Sequence, residues 1–163
     1  MTDPVQEPSA PKAAPPMPQD VAAVFDAYPP SVAAALAEMR ALVFRAARDT
    51  GTGPLSETLK WGQPAYLTAA TGAGTTIRLG RDRATGRPAV FFNCRTGLIA
   101  GFREQFGREF EFRGNRALMP RQGADLPADA LAICLARALT YDGRRITGIV
   151  TQRESIDATS TIS

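Results

Sequence analysis

The stretch Leu59-Lys60-Trp61-Gly62-Gln63-Pro64-Ala65-Tyr66-Leu67 constrains this chain more than any other. It holds the single tryptophan, beside a glycine free to adopt positive φ and ahead of a proline that fixes φ and removes a backbone donor. Such a segment must turn a corner, and it feeds a strand. The corner can be read in two ways. As a packing device, the indole is buried to anchor the bend and Gln63 caps loose backbone groups. As a site, Trp61, Gln63 and Tyr66 supply the aromatic wall and hydrogen-bonding groups of a small-ligand pocket.

The flanking periodicity defines the rest of the fold. Val21, Val24, Phe25 and Tyr28 recur at helical spacing behind Asp20, which predicts a short helix with Asp20 as N-cap. Pro29-Pro30 ends it and opens a second helix over 31–48, with Val32, Leu36, Met39, Val43 and Ala47 on one face. After Gly51-Thr52-Gly53-Pro54 the period shortens, predicting strands over 65–70, 75–79 and 89–94 joined by turn-rich connections. A third helix is expected over 96–106, two more strands over 110–112 and 117–119 around Gly114-Asn115, and a last helix over 127–141. That last helix turns Leu131, Cys134, Leu135, Ala138, Leu139 and Tyr141 inward and runs into Arg144-Arg145, a sign that suits a helix C-terminus. The expected class is α+β: an antiparallel sheet of about five short strands packed with three to four helices.

A chain of 163 residues suffices for one core, and that core is expected over residues 20–145. Residues 1–19 are proline-rich and expected to be disordered, and 146–163 reads as a flexible extension. The apolar runs fall well short of the roughly 20 residues that span a bilayer, so no membrane partner is expected. Residues 1–19 also lack the pattern of a secretory signal, which predicts a cytoplasmic protein. Cys94 and Cys134 fall in segments that read as buried and are expected to be reduced core thiols.

Chemistry is excluded as much as indicated. With no histidine in the chain, Ser-His and Cys-His nucleophile pairs are absent, and two cysteines alone do not close a zinc site. Glu104, Glu109 and Glu111 are near in sequence but read as a solvated helix end. No catalytic residue, metal or cofactor is therefore assigned. The net charge is +3, yet the only lysines are Lys12 and Lys60 and the arginines are spread. Their densest group, Arg78, Arg81, Arg83 and Arg87, is punctuated by Asp82, so no nucleic-acid partner is expected. Arg78, Arg95 and Arg116 lie in or beside predicted strands and turns. They either form separate surface salt bridges or converge on an anion site, with Asn93, Thr96 and Asn115 as neutral donors.

Several blocks occur in order: Ala27-Tyr28-Pro29-Pro30, the Trp-Gly-Gln-Pro corner, Thr76-Ile77-Arg78-Leu79-Gly80, Phe91-Phe92-Asn93-Cys94-Arg95-Thr96-Gly97-Leu98, Gly114-Asn115-Arg116-Ala117-Leu118 and Ala138-Leu139-Thr140-Tyr141. Over residues 20–145 they resemble the YdhG-like family, the domain of unknown function numbered 1801. The resemblance implies a small intracellular α+β domain with a helix-covered antiparallel sheet, similar in outline to the frataxin-like sandwich. It implies no agreed activity. Relatives often carry histidine where this chain reads Phe92-Asn93-Cys94-Arg95 and Leu139-Thr140-Tyr141-Asp142, so a histidine-dependent function is in doubt here. Iron handling by analogy with frataxin needs an acidic ridge, and the first two helices offer only Asp20, Asp26 and Glu38.

The expectation is thus a non-catalytic module holding a small anionic molecule near the corner. Its candidate contacts are Trp61, Gln63, Tyr66, Arg78, Asn93, Arg95, Asn115 and Arg116. An enzyme acting through Tyr66 or an arginine-rich pocket, and a protein-interaction domain, remain open alternatives. The sequence leaves the ligand and the oligomeric state undefined.

Overall fold

Proline precedes three of the four α-helices among the described residues. In the computed structural model, which describes residues 14–68 and 74–141, α1 (Gln19–Ala27) follows Pro18, α2 (Pro30–Thr50) follows Pro29 with Pro30 in its first turn, and the last helix follows Pro127. A proline costs nothing there, because the first-turn N–H groups have no intrahelical acceptor. Asp20 is not the N-cap of α1. It lies in the first turn, where its carboxylate accepts from the Val21 N–H at 2.8 Å. Gly51 closes α2 in the left-handed region at φ 69°, its N–H donating to the Ala47 and Arg48 carbonyls.

Six strands follow the first two helices: β1 (Ser56–Lys60), β2 (Gln63–Leu67), β3 (Ile77–Arg81), β4 (Pro88–Phe91), β5 (Phe110–Arg113) and β6 (Ala117–Pro120). A 3₁₀ turn (Cys94–Thr96) and α3 (Leu98–Phe106) connect β4 to β5, and α4 (Ala128–Leu139) ends the fold. All pairs are antiparallel in the order β1-β2-β3-β4-β6-β5. The chain is α+β as expected, and the strand beyond the expected five is β1. Its sequence, Ser-Glu-Thr-Leu-Lys, lacks the apolar alternation of a half-buried strand.

Register divides the sheet into two faces. The pairs Tyr66↔Ile77, Leu79↔Val90 and Val90↔Leu118 aim apolar side chains at one side, where they join Leu36, Met39 and Val43 of α2 and Leu131 and Leu135 of α4 in one core. Each of these side chains is fully buried, a gain of about 1.5–3 kcal/mol per large aliphatic. α3 contributes Ile99, Phe102 and Phe106, and Phe102 meets Phe92 edge-to-face at 5.4 Å. The pairs Ala65↔Arg78, Arg78↔Phe91, Phe91↔Ala117 and Arg113↔Ala117 occupy the opposite face. This is the face the helices leave uncovered.

Several expectations meet the structure at the edges. Cys134 is buried, its thiol pKa pushed up to about 12 by burial. Cys94 is exposed, because β4 ends at Phe91 and Cys94 opens the 3₁₀ turn instead of finishing a strand. Of the proline-rich residues 1–19, the first thirteen lie outside the described residues. Nearer the core, Met17 packs against it and the Pro15 carbonyl accepts from Arg40 Nη2 at 2.6 Å. The extension 146–163, Arg144-Arg145 and the connection over 69–73 also lie outside the described residues. Among those described, no helix is long and apolar enough to cross a membrane.

Candidate functional site

The loop joining β1 to β2 contains only Trp61 and Gly62, since Lys60 pairs with Gln63. Both residues have positive φ, 56° and 76°, the pattern of a type I′ hairpin turn. Glycine adopts it freely. Trp61 is the one non-glycine residue with positive φ among the described residues, a conformation that costs an ordinary side chain about 1–2 kcal/mol. The indole recovers nothing by packing, because Trp61 is 87% exposed. This overturns the packing reading: the bend is held by strand pairing and Gly62, and the ring stands in solvent.

Gln63 also does something other than cap backbone. Its Oε1 accepts from Arg78 Nη1 at 2.6 Å, and its side chain lies so close over Gly80 that a Cβ there would meet Nε2 at 2.4 Å. Gly80 is small because Gln63 crosses it. The Arg78 guanidinium is set over the Phe91 ring at 5.5 Å, a cation–π contact on the open face.

These residues edge a groove of about 500 Å³ lined by Trp61, Gln63, Arg78, Arg81, Asp82, Arg83, Ala84, Phe91, Arg113 and Arg116. Five guanidiniums therefore face one carboxylate. That carboxylate is already engaged: Arg113 Nε and Nη2 donate to Asp82 at 2.9 Å each, and the Thr85 N–H and hydroxyl donate at 3.0 and 2.8 Å. Arg113 foremost holds the Asp82 carboxyl well below the usual range, at about 2. Arg81 is fastened to the Gly86 carbonyl at 3.0 Å. Among the described residues the acceptor of Arg78 is a neutral amide, and its pKa is pushed down first by burial and then by the charge of Arg116. Arg116 is exposed and makes no ion pair among the described residues. The groove is a cationic slot with an aromatic edge and unmatched positive charge.

Of the residues the sequence nominates, the structure gathers Trp61, Gln63, Arg78 and Arg116 in this groove. Tyr66 is elsewhere. It lies fully buried on the helix-covered face, where its hydroxyl donates to Glu57 Oε2 at 2.8 Å. Arg40 donates to the same carboxylate through Nε at 2.6 Å and Nη2 at 2.8 Å. Burial foremost and the Glu57 charge raise the Tyr66 phenol far above its ordinary pKa, so it is a structural donor. Asn93 caps the 3₁₀ turn by accepting from the Arg95 N–H at 2.9 Å. Arg95, like Asn115 of the β5–β6 turn, is exposed and lines no part of the groove. Arg81, Asp82, Arg83, Ala84, Phe91 and Arg113 are the lining residues that the sequence did not nominate. The dense arginine group around Asp82 was their signal, but only register brings Arg113 to it. Arg87 of that group turns away to Glu111 at 2.8 Å.

No group of three or more His, Cys, Asp or Glu residues placed to hold a metal occurs among the described residues. A larger cleft of about 880 Å³ lies between residues 14–16 and the end of α2, but apart from Arg48 its lining is apolar or glycine. Fold and groove together define a small α+β domain whose uncovered sheet face carries a cationic, aromatic-edged slot. Comparison with protein-family models, with curated proteins and with solved structures yields no match.

Proposed function

We propose that this chain is a non-catalytic module that binds a small anionic ligand in the groove beside Trp61. One observation carries the reading: Arg78 and Arg116 line the same groove, and among the described residues neither is paired with a carboxylate, Arg78 donating to the neutral Gln63 amide instead. Folding gains nothing from two like charges held together, whereas an anion between them neutralises both. Binding is favoured over catalysis because the described residues lining the groove include no proton acceptor suited to neutral pH. Asp82 is locked to Arg113 with its pKa at about 2, and arginines keep their protons.

The same proposal includes membership of the YdhG-like family. It is supported by the ordered sequence blocks and by a helix-covered antiparallel sheet of the kind that resemblance implies. A cytoplasmic location is supported by the free, exposed Cys94 thiol, which suits a reducing compartment.

Titration calorimetry with inorganic phosphate and pyrophosphate at low salt tests the binding reading. Arg78→Ala and Gln63→Ala are each expected to weaken binding by at least about tenfold, roughly 1.4 kcal/mol, without unfolding the protein. Absence of any heat or thermal shift at millimolar anion would end the reading.

A further inference from the structure

The turn at Trp61 serves the fold less well than simpler residues would. Asn-Gly makes a type I′ turn with little strain, yet here the first position is an indole in the left-handed region, 87% exposed. Strained backbone carrying an unpacked aromatic at the rim of a groove is the arrangement of a stacking platform.

The other end of the slot sets the charge of what occupies it. Arg113 is matched by Asp82, and of the four lining arginines left, Arg78, Arg81, Arg83 and Arg116, Arg78 and Arg116 are the two close enough for one charge to act on the other. A monocarboxylate would cancel one of them. A phosphate monoester is close to doubly charged at neutral pH and carries three oxygens for two planar guanidiniums. Ala65, the cross-strand partner of Arg78, lies three residues beyond Gly62, roughly 10 Å along β2. That is the scale on which one small molecule joins a ring to a phosphate.

Resting on the anion-binding reading above, we infer that the ligand is a phosphate monoester bearing a flat aromatic ring, such as a nucleoside monophosphate. The ring stacks on Trp61 and the phosphate lies between Arg78 and Arg116. A nucleic-acid strand fits less well, because strand binding uses successive aromatic platforms. Among the described residues Trp61 and Ile133 are the exposed large hydrophobics, and Arg78 already covers Phe91.

The chain provides its own reporter, since its single tryptophan is the proposed platform. The full chain is titrated at low salt with adenosine monophosphate and with ribose 5-phosphate, followed by tryptophan fluorescence and by calorimetry. Adenosine monophosphate is expected to quench the fluorescence and to bind at least about tenfold more tightly than ribose 5-phosphate. In Trp61→Asn, which keeps a turn-compatible residue, calorimetry should show that advantage lost and ribose 5-phosphate binding unchanged. Equal affinities in the native chain, both weakened by Arg116→Ala, overturn the ring and leave anion binding standing. Failure of both compounds, together with inorganic phosphate, overturns both proposals. An oligonucleotide bound many-fold more tightly than the monomer replaces the small ligand with a strand.

Discussion

On the helix-covered face of the sheet, Glu57 receives Arg40 at 2.6 and 2.8 Å and the Tyr66 hydroxyl at 2.8 Å. On the open face, Arg78 and Arg116 share a groove whose one carboxylate among the described residues, Asp82, is engaged by Arg113. The contrast follows from solvent. A charge inside the core must be paired, because desolvation without compensation costs several kcal/mol, and the side chains of Arg40 and Glu57 are only 6% exposed. Water tolerates unmatched charge on the open face, so sequence there is free to serve something other than folding. Among the described residues, arginines without a carboxylate partner stand there beside a strained, exposed tryptophan.

Breaking the buried triad should have the largest effect. Glu57→Ala strands the Arg40 guanidinium and removes the acceptor of Tyr66, and is expected to cost about 3–5 kcal/mol in denaturant unfolding. The same variant, studied where it is folded, should keep its affinity for phosphate. A loss below about 1 kcal/mol, or a parallel loss of binding, would break the division between the faces.

Acid should expose the one place where the open face behaves like the covered one. The Asp82 carboxyl titrates at about 2 when folded, below its unfolded value of about 3.9. Its contribution is therefore fully present above pH about 4 and is lost as pH falls towards 2. The Arg113 partner is half exposed, so solvent screening keeps this effect below that of Glu57. Asp82→Asn should flatten the stability profile in that window. An unchanged acid limb would mean that the Arg113 pair contributes nothing to folding.

Most of the covered face was legible in the sequence, and most of the open face was not. Helical spacing named Val32, Leu36, Met39, Val43 and Ala47, and all are buried, because one apolar stripe meeting one core is a local pattern. Arg40, on the same helix, was invisible as a core residue. Its burial depends on Glu57 from a strand that sequence did not reveal. Tyr66 was misplaced for a related reason: alternation along β2 puts Tyr66 and Gln63 on opposite faces, and that parity follows from the turn at Trp61-Gly62. Arg78, Arg95 and Arg116 were named together as either separate surface residues or a converging set, and only the register of β3, β4 and β6 brings Arg78 and Arg116, without Arg95, to one groove.

The turn itself offers a smaller test with an unusual sign. Trp61→Asn replaces a residue strained at φ 56° with one that tolerates this region, and no packing is lost. Stability should rise by about 1 kcal/mol while ligand affinity falls. A destabilised variant would mean that the indole has a folding role its exposure conceals.

The smallest effect on stability and the sharpest on binding should come from Arg116→Ala. Arg116 is exposed and acts on Arg78 only as a like charge, so its removal relieves repulsion and breaks no ion pair. Unfolding free energy is expected to stay within about 0.5 kcal/mol of the native chain. Phosphate affinity should fall at least about tenfold, and its dependence on salt should weaken as one fewer cation faces the anion. Paired measurements on Arg116→Ala and Glu57→Ala then separate the faces completely, one losing binding and the other losing stability. If Arg116→Ala instead lowers stability by more than about 1 kcal/mol with affinity intact, the open-face charges belong to folding after all, and Arg78 and Arg116 are not the seat of an anionic ligand.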